Sequence, residues 1–458
     1  MDTGQRVGQP LDVGRILDEG HWGRHQRFVV FLAALAIVFD GLDNQLLGIA
    51  VPAMMHEWAV PRAAFAPILA GGMVGMMIGG AVAGIVGDRL GRRLALIGSV
   101  LVFAVLTMAV ATADTLMTLG VLRFLAGLGL GGALPNAATL ASEYVPRRHR
   151  PLAVTLTIVC VPLGGTLGAV LGGRVLPLLG WRALFAIGGV LPLLVALVLI
   201  HFLPESPRFL TRHPSRWPEL ARVLRRVGYE TAPDSAFADS SETPVARVSV
   251  PTLFKGDLRR DTVALWGAFF SCLLAVYLGF NWIPSMLAGG GLGLGVASTG
   301  LAAFNLGGVA GAISGGWLIP RIGSRLTMLG MSAGAIGGAL VLATMPLASG
   351  SSPGPIIAML GITGGLINAV QTTMYALAAN VYPTAVRATG VGSAVSFGRT
   401  GAVLSTYAGA WALEAGGSAA FFAVMAGAMA AAFGSLAAVA RHVPGTFTWA
   451  RTSGSASR

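Results

Sequence analysis

Gly87-Asp88-Arg89-Leu90-Gly91-Arg92-Arg93 is a charged break, framed by glycines, between two apolar runs at 63–86 and 94–113. The design returns once, as Pro320-Arg321-Ile322-Gly323-Ser324-Arg325 after the apolar run 297–319. A second echo, allowing one gap, pairs Gly131-Gly132-Ala133-Leu134-Pro135-Asn136 with Gly364-Gly365-Leu366-Ile367-Asn368. A third pairs Tyr144-Val145-Pro146 with Val381-Tyr382-Pro383. Two related halves follow, and repeats of this kind imply a central cavity at their interface.

Outward from that break, apolar windows continue along the whole chain. Twelve spans are expected, near 27–51, 63–86, 94–113, 116–142, 151–177, 182–203, 262–288, 297–319, 325–347, 355–379, 388–413 and 418–440. Each is long enough to cross ~30 Å of hydrocarbon as a helix. The composition agrees: 54% of residues are hydrophobic, 11% are charged, and 65 of 458 are glycine, with a mean hydropathy of +0.74. This excludes an ordinary soluble domain. The expected fold is an all-α integral membrane protein with two six-helix halves, 27–203 and 262–440, joined by a polar, Arg-rich linker at 204–261. The tails are 1–26 and 441–458. A short helix is expected around 218–227, and the Ser/Asp/Pro stretch 232–244 reads as flexible.

The formal net charge of +12 does not indicate nucleic acid, because the basic residues fall between the apolar runs and form no patch with interleaved aromatics. They mark topology. Arginines gather in the N-terminal tail, at 87–93, 146–150, 204–261 and 320–325, and at Arg387 and Arg441, whereas the alternate connections carry few. The positive-inside rule places both termini in the cytoplasm. Cys160 and Cys272 lie inside apolar runs without metal or disulfide spacing. The first span has no cleavage pattern before it and is expected to be retained. Glycines four apart, Gly71/Gly75/Gly79, Gly164/Gly168/Gly172 and Gly307/Gly311/Gly315, with Gly398 and Gly401, allow close helix contact. Such stripes serve either static packing or sliding between moving halves.

The first span holds two carboxylates three residues apart, Asp40 and Asp43, about 20 Å from its cytoplasmic end. An ionisable group there costs at least ~2.5 kcal/mol, so the pair points to protons, ions or a charged substrate. At i and i+3 the two lie roughly 60° apart, so both can face the cavity. Neighbouring carboxylates resist double ionisation, which suits a proton carrier. Which of the two carries the proton is left open. The seven histidines all fall near span ends or in loops and are not expected to relay protons.

Gly84-Ile85-Val86-Gly87-Asp88-Arg89-Leu90-Gly91-Arg92-Arg93 resembles the signature of the major facilitator superfamily between helices two and three. The run Pro204-Glu205-Ser206-Pro207-Arg208 resembles that superfamily's metabolite and sugar porters. Asp40-Gly41-Leu42-Asp43 resembles the Asp-Gly-x-Asp motif of the aromatic acid:proton symporters. Arg123 to Asn136, Glu143-Tyr144 and the stretch Tyr382 to Gly390 leading to Arg399 carry the same likeness. The resemblance implies a monomeric transporter of the cytoplasmic membrane, importing small aromatic carboxylates such as hydroxybenzoates with protons and without cofactor, metal or nucleic acid. The second loop has Pro320 where the first has Asp88, so any charge lock there is weaker in the C-terminal half.

Such an importer needs a fixed cation, a slot for the ring and a carboxylate that changes protonation. Arg399, about 17 Å into span eleven, suits the first role, as a bidentate partner of the substrate or in an ion pair that substrate displaces. Arg123 faces Asp40 or Asp43 across the bundle and would tie protonation to conformation. Asn44, Asn136, Gln371 and Tyr375 are the preferred lining residues, among a wider set of Gln45, Tyr277, Asn281, Trp282, Asn305 and Asn368. Asp88, Glu143 and the arginines Arg89, Arg92 and Arg93, with Gly87 and Gly91, are expected to form a cytoplasmic gate, Glu143 also counting with Asp40, Asp43 and Arg123 toward proton coupling. The rival readings are a porter for another organic anion or a sugar, and a non-transporting sensor. No nucleophile elbow, metal cluster or phosphate loop supports an enzyme.

Overall fold

The computed structural model describes residues 10–232, 235–240, 249–347, 352–383 and 386–446, almost all of them helical. Among the described residues, ten helices are long and apolar enough to cross a membrane. Two of them exceed fifty residues, roughly 80 Å at 1.5 Å per residue and more than two bilayer crossings. Arg150–Phe202 is broken at Gly180, with φ 75°, and Arg387–Ala438 at Gly416 and Gly417, the latter with φ 59°. Only glycine enters that backbone region without penalty. The twelve expected spans are thereby present.

They are α1 (Arg24–Trp58), α2 (Ala66–Leu90), α3 (Arg92–Val110), α4 (Leu116–Tyr144), α5 (150–179) and α6 (181–202) in the first half. The second half has α7 (Leu258–Gly289), α8 (Gly293–Ile322), α9 (Ser324–Thr344), α10 (Pro353–Val381), α11 (387–415) and α12 (418–438). Within the halves, α2 packs on α4 and α8 packs on α10. Between them, α1 meets α7, α2 meets the 387–438 helix, and α8 meets the 150–202 helix. The glycine stripes belong to the contacts inside each half. A Cβ at Gly79 would overlap the Leu128 carbonyl of α4, and one at Gly307 would overlap the Gly361 carbonyl of α10. In this state their role is close packing within each half, except at Gly71, where a Cβ would meet nothing within 4 Å.

The linker does not bridge the halves as a loose tether within its described part. Helices Pro207–Thr211 and Trp217–Val227 fold under the first half together with Val13–Glu19 of the N-terminal tail. Leu11–Asp12 pairs in parallel with Phe237–Ala238. Asp18 accepts hydrogen bonds from Arg150 and, at 2.8 Å, from Arg208. Ser240 Oγ donates to Asp12. The stretch expected to be flexible is thus held at 235–240, because buried Phe237 stacks edge-on against Trp217 and the polar residues find partners. Residues 233–234 and 241–244 of that stretch lie outside the described residues, as do 1–9 and 447–458 of the tails and Thr384 and Ala385 of the span-eleven motif.

Candidate functional site

A cavity opens between the halves near mid-depth. Its polar and aromatic lining comes from Asp40 and Asn44 of α1, Tyr277 of α7, Asn368, Gln371, Thr372 and Tyr375 of α10, and Arg399 of α11. Apolar side chains complete it, among them Leu130, Val161 and Phe280. Asp40 and Asn44 share it because residues four apart lie on one helix face. The free volume is about 70 Å³, well below the 300–1,000 Å³ of typical ligand sites. In this state the halves close round the centre.

The two carboxylates are separated by this geometry. Asp40 is 3% exposed, and its Oδ1 has no hydrogen-bond partner. Asp43 is fully buried and saturated: Oδ1 accepts from Arg123 Nη1 at 2.9 Å and Oδ2 from Thr107 Oγ1 at 2.7 Å. Arg123 Nη2 also reaches the Asp43 carbonyl at 3.2 Å, and the guanidinium lies 5.9 Å from the Phe185 ring. Of the two partners the sequence left open for Arg123, the structure assigns Asp43. The expectation that both acids face the cavity does not hold, since Asp43 turns into the first half toward α3 and α4.

Arg399 is partly exposed in the cavity and donates from Nη1 to the Met76 carbonyl of α2 at 3.2 Å, across the two halves. Further hydrogen bonds join the halves from this level to the end away from the linker. Asn44 Nδ2 lies 3.5 Å from the Tyr277 hydroxyl, Gln45 and Asn305 exchange bonds of 2.9 and 2.7 Å, and Arg62 donates to Ser285 Oγ at 2.9 Å. Gln45 and Asn305 are consequently spent on each other and do not line the cavity. Asn281 is buried with both amide atoms unpartnered, also outside it.

Asn136 is a correction. Its Nδ2 donates to the carbonyls of Ala83 and Gly132 at 3.2 and 2.8 Å, and its Oδ1 accepts from Arg92 at 3.4 Å. It stands under the loop at Gly87, whose Cβ position its own oxygen would occupy, and not at the cavity. The expected gate is also rearranged. Asp88 pairs with Arg92 four residues on, at the surface. Glu143 accepts from Ser206 Oγ and does not meet Asp88. Arg89 is exposed, with no ion pair among the described residues. The carboxylate that holds the loop is Glu205, 2% exposed, which accepts from the N–H of Arg93 at 3.0 Å and of Ser206 at 2.9 Å. Burial pushes its carboxyl above the usual range, against the backbone N–H groups that favour its charged form.

The loop echo has a structural cause. Gly91 and Gly323 both join consecutive helices at positive φ, 109° and 87°. Glu205, just past α6, caps the turn after Gly91. Past α12, Val443 does the equivalent by backbone, its carbonyl accepting from Ser324 N–H at 2.9 Å while its N–H donates to Ser324 Oγ at 2.8 Å. Thr107 and Glu205 make contacts at the site that sequence reasoning missed. A hydroxyl inside the apolar run of span three was the available signal for the first, and the Pro-Glu-Ser-Pro-Arg run for the second.

The sequence profile of the Major Facilitator Superfamily matches residues 33–406. The chain is 36% identical to the 4-hydroxybenzoate transporter PcaK of Pseudomonas putida, over 90% of this chain and 91% of that protein. It is 35% identical to the gallate transporter of the same species, over 90% of each. To the gentisate transporter of Corynebacterium glutamicum it is 31% identical, over 82% of this chain and 79% of that protein. Among solved structures, a bacterial homolog of the human lysosomal transporter Spinster, inward-facing and occupied, aligns with a TM-score of 0.63 at 16% identity. That alignment covers 91% of this chain and 95% of that one, a likeness of fold alone.

Proposed function

Since this chain belongs to the Major Facilitator Superfamily, as its loop signature led one to expect, we propose that it imports small aromatic carboxylates of the hydroxybenzoate class with protons, by alternating access. It is an aromatic acid transporter of that superfamily, a multi-pass membrane protein and not an enzyme. The observation that carries the finer reading is the meeting of Asp40 and Arg399 in one cavity between the halves, with an oxygen of Asp40 left unpartnered.

Arg399 holds the substrate carboxylate, exchanging its bond to the Met76 carbonyl for a stronger charge-assisted one. Tyr375 and Phe280, with the aliphatic wall, receive the ring, while Gln371 and Asn44 supply polar contacts to ring hydroxyls. Asp40 takes up the proton on its free Oδ1. With both the proton and the anion aboard, the buried site approaches neutrality, and the halves can rock past the low-dielectric barrier. Asp43, Arg123 and Thr107 hold α1, α3 and α4 as one unit, so that a charge change at Asp40 moves the half and not just a side chain. The loop 87–93, capped by Glu205 and flanked by Glu143, is the gate at the linker end. The arginines there support a cytoplasmic position for that end and for both termini; on this reading the state described is closed toward the outside. A neutral sugar would leave Arg399 without a counter-ion once Asp40 is protonated.

Uptake of labelled 4-hydroxybenzoate, protocatechuate, gentisate and glucose into proteoliposomes under an inward proton gradient tests this. Gradient-dependent accumulation of at least one aromatic acid and not of glucose is expected; accumulation of none of the acids overturns it.

A further inference from the structure

A second, larger cavity lies away from the interface of the halves. It is a groove of about 1070 Å³ where the start of α7 meets the end of α12, at the linker end of the bundle. Arg259, Arg260 and Arg441 stand on its rim, all exposed. Its wall is apolar: Val263, 56% exposed, continues into Ala264, Gly267 and Ala438. Gly267 lets the two helices approach, since a Cβ there would lie 2.9 Å from Ser435 Oγ.

Two acids sit among these cations. Asp261 is buried and largely used, one oxygen accepting the Ala440 N–H at 2.7 Å and the other lying 3.8 Å from Arg441 Nε. Asp257 is exposed just before α7. Arg260 Nε donates to the Ala438 carbonyl at 2.8 Å, which fixes its guanidinium at the groove's edge. Arg259 makes no ion pair among the described residues. The rim therefore keeps an excess of positive charge, directly beside apolar surface at the linker end of the bundle.

A free anion would use the arginines and ignore the wall. An apolar chain alone would not need the arginines. A phosphodiester carried on acyl chains uses both. We propose that this groove binds one anionic phospholipid, its phosphodiester among Arg259, Arg260 and Arg441 and one chain along Val263, Ala264 and Ala438. The bound lipid would steady the start of α7, the helix that meets α1 across the halves and brings Tyr277 to the central cavity.

Native mass spectrometry of the delipidated full chain with phosphatidylglycerol or phosphatidylcholine is the test. One phosphatidylglycerol should be retained in preference to phosphatidylcholine. Arg259→Gln, Arg260→Gln and Arg441→Gln should each weaken retention about fivefold. Arg222→Gln, on an exposed surface helix, should not. Val263→Asp, at an exposed position that leaves the core untouched, should also abolish the preference and decides the matter if the arginine variants fail to fold. Equal retention of the two lipids, unchanged retention in the variants, or displacement by inorganic phosphate overturns the proposal.

Discussion

Asp40 and Asp43 stand three residues apart on one helix, yet their surroundings are opposite. Asp43 is enclosed in its own half, with a guanidinium on one oxygen and a hydroxyl on the other. Asp40 looks across to the other half, with one oxygen unpartnered beside a cavity that also holds Arg399. A carboxylate with saturated partners is a structural charge, because protonating it would strand Arg123. One that is buried and unsaturated is expensive when charged and has room for a proton. The difference teaches that two acids in one motif divide into a fixed member and a working one.

The largest effect is expected at the fixed member. Asp43→Asn leaves Arg123 without its counter-ion and should cost about 3–5 kcal/mol of stability. It would be read as a lowered unfolding temperature in detergent together with lost transport. Asp43→Asn combined with Arg123→Gln should recover much of the stability and none of the uphill uptake. A singly substituted protein as stable as the wild type would break the comparison.

Asp40→Asn should leave the unfolding temperature unchanged or raised, since it removes a charge that burial penalises. Substrate counterflow should persist, and accumulation against a gradient should vanish. Concentrative uptake at wild-type rates in this variant would assign the proton elsewhere. A smaller effect belongs to the cation opposite. Arg399→Lys keeps the charge and loses the planar fork, and should raise the KM for 4-hydroxybenzoate about 10- to 100-fold with proton coupling intact. An unchanged KM would remove Arg399 from substrate contact.

The spans were legible because twenty apolar residues leave little choice of structure, and because Gly91 and Gly323 repeat a turn that requires positive φ. The acids were legible from energetic rarity alone. Their separation was not: a 60° difference in helical direction becomes cavity or core only through the packing of α1 against α3 and α4. Asn136 misled for the same reason, its polarity being absorbed by the Ala83 carbonyl of α2, the Gly132 carbonyl of its own helix and Arg92. Glu143 and Glu205 are both acids near span ends, and the turn after Gly91 selected the one whose carboxylate lies over its N–H groups. The folded part of 235–240 was hidden by its Ser/Asp/Pro neighbours, with Phe237 its one apolar anchor.

The division between the two acids is tested most directly by infrared difference spectroscopy of the reconstituted protein, following the protonated-carboxyl band as pH is lowered. The band should disappear in Asp40→Asn and survive in Asp43→Asn with Arg123→Gln; a band that survives the first change and is lost with the second would contradict the account.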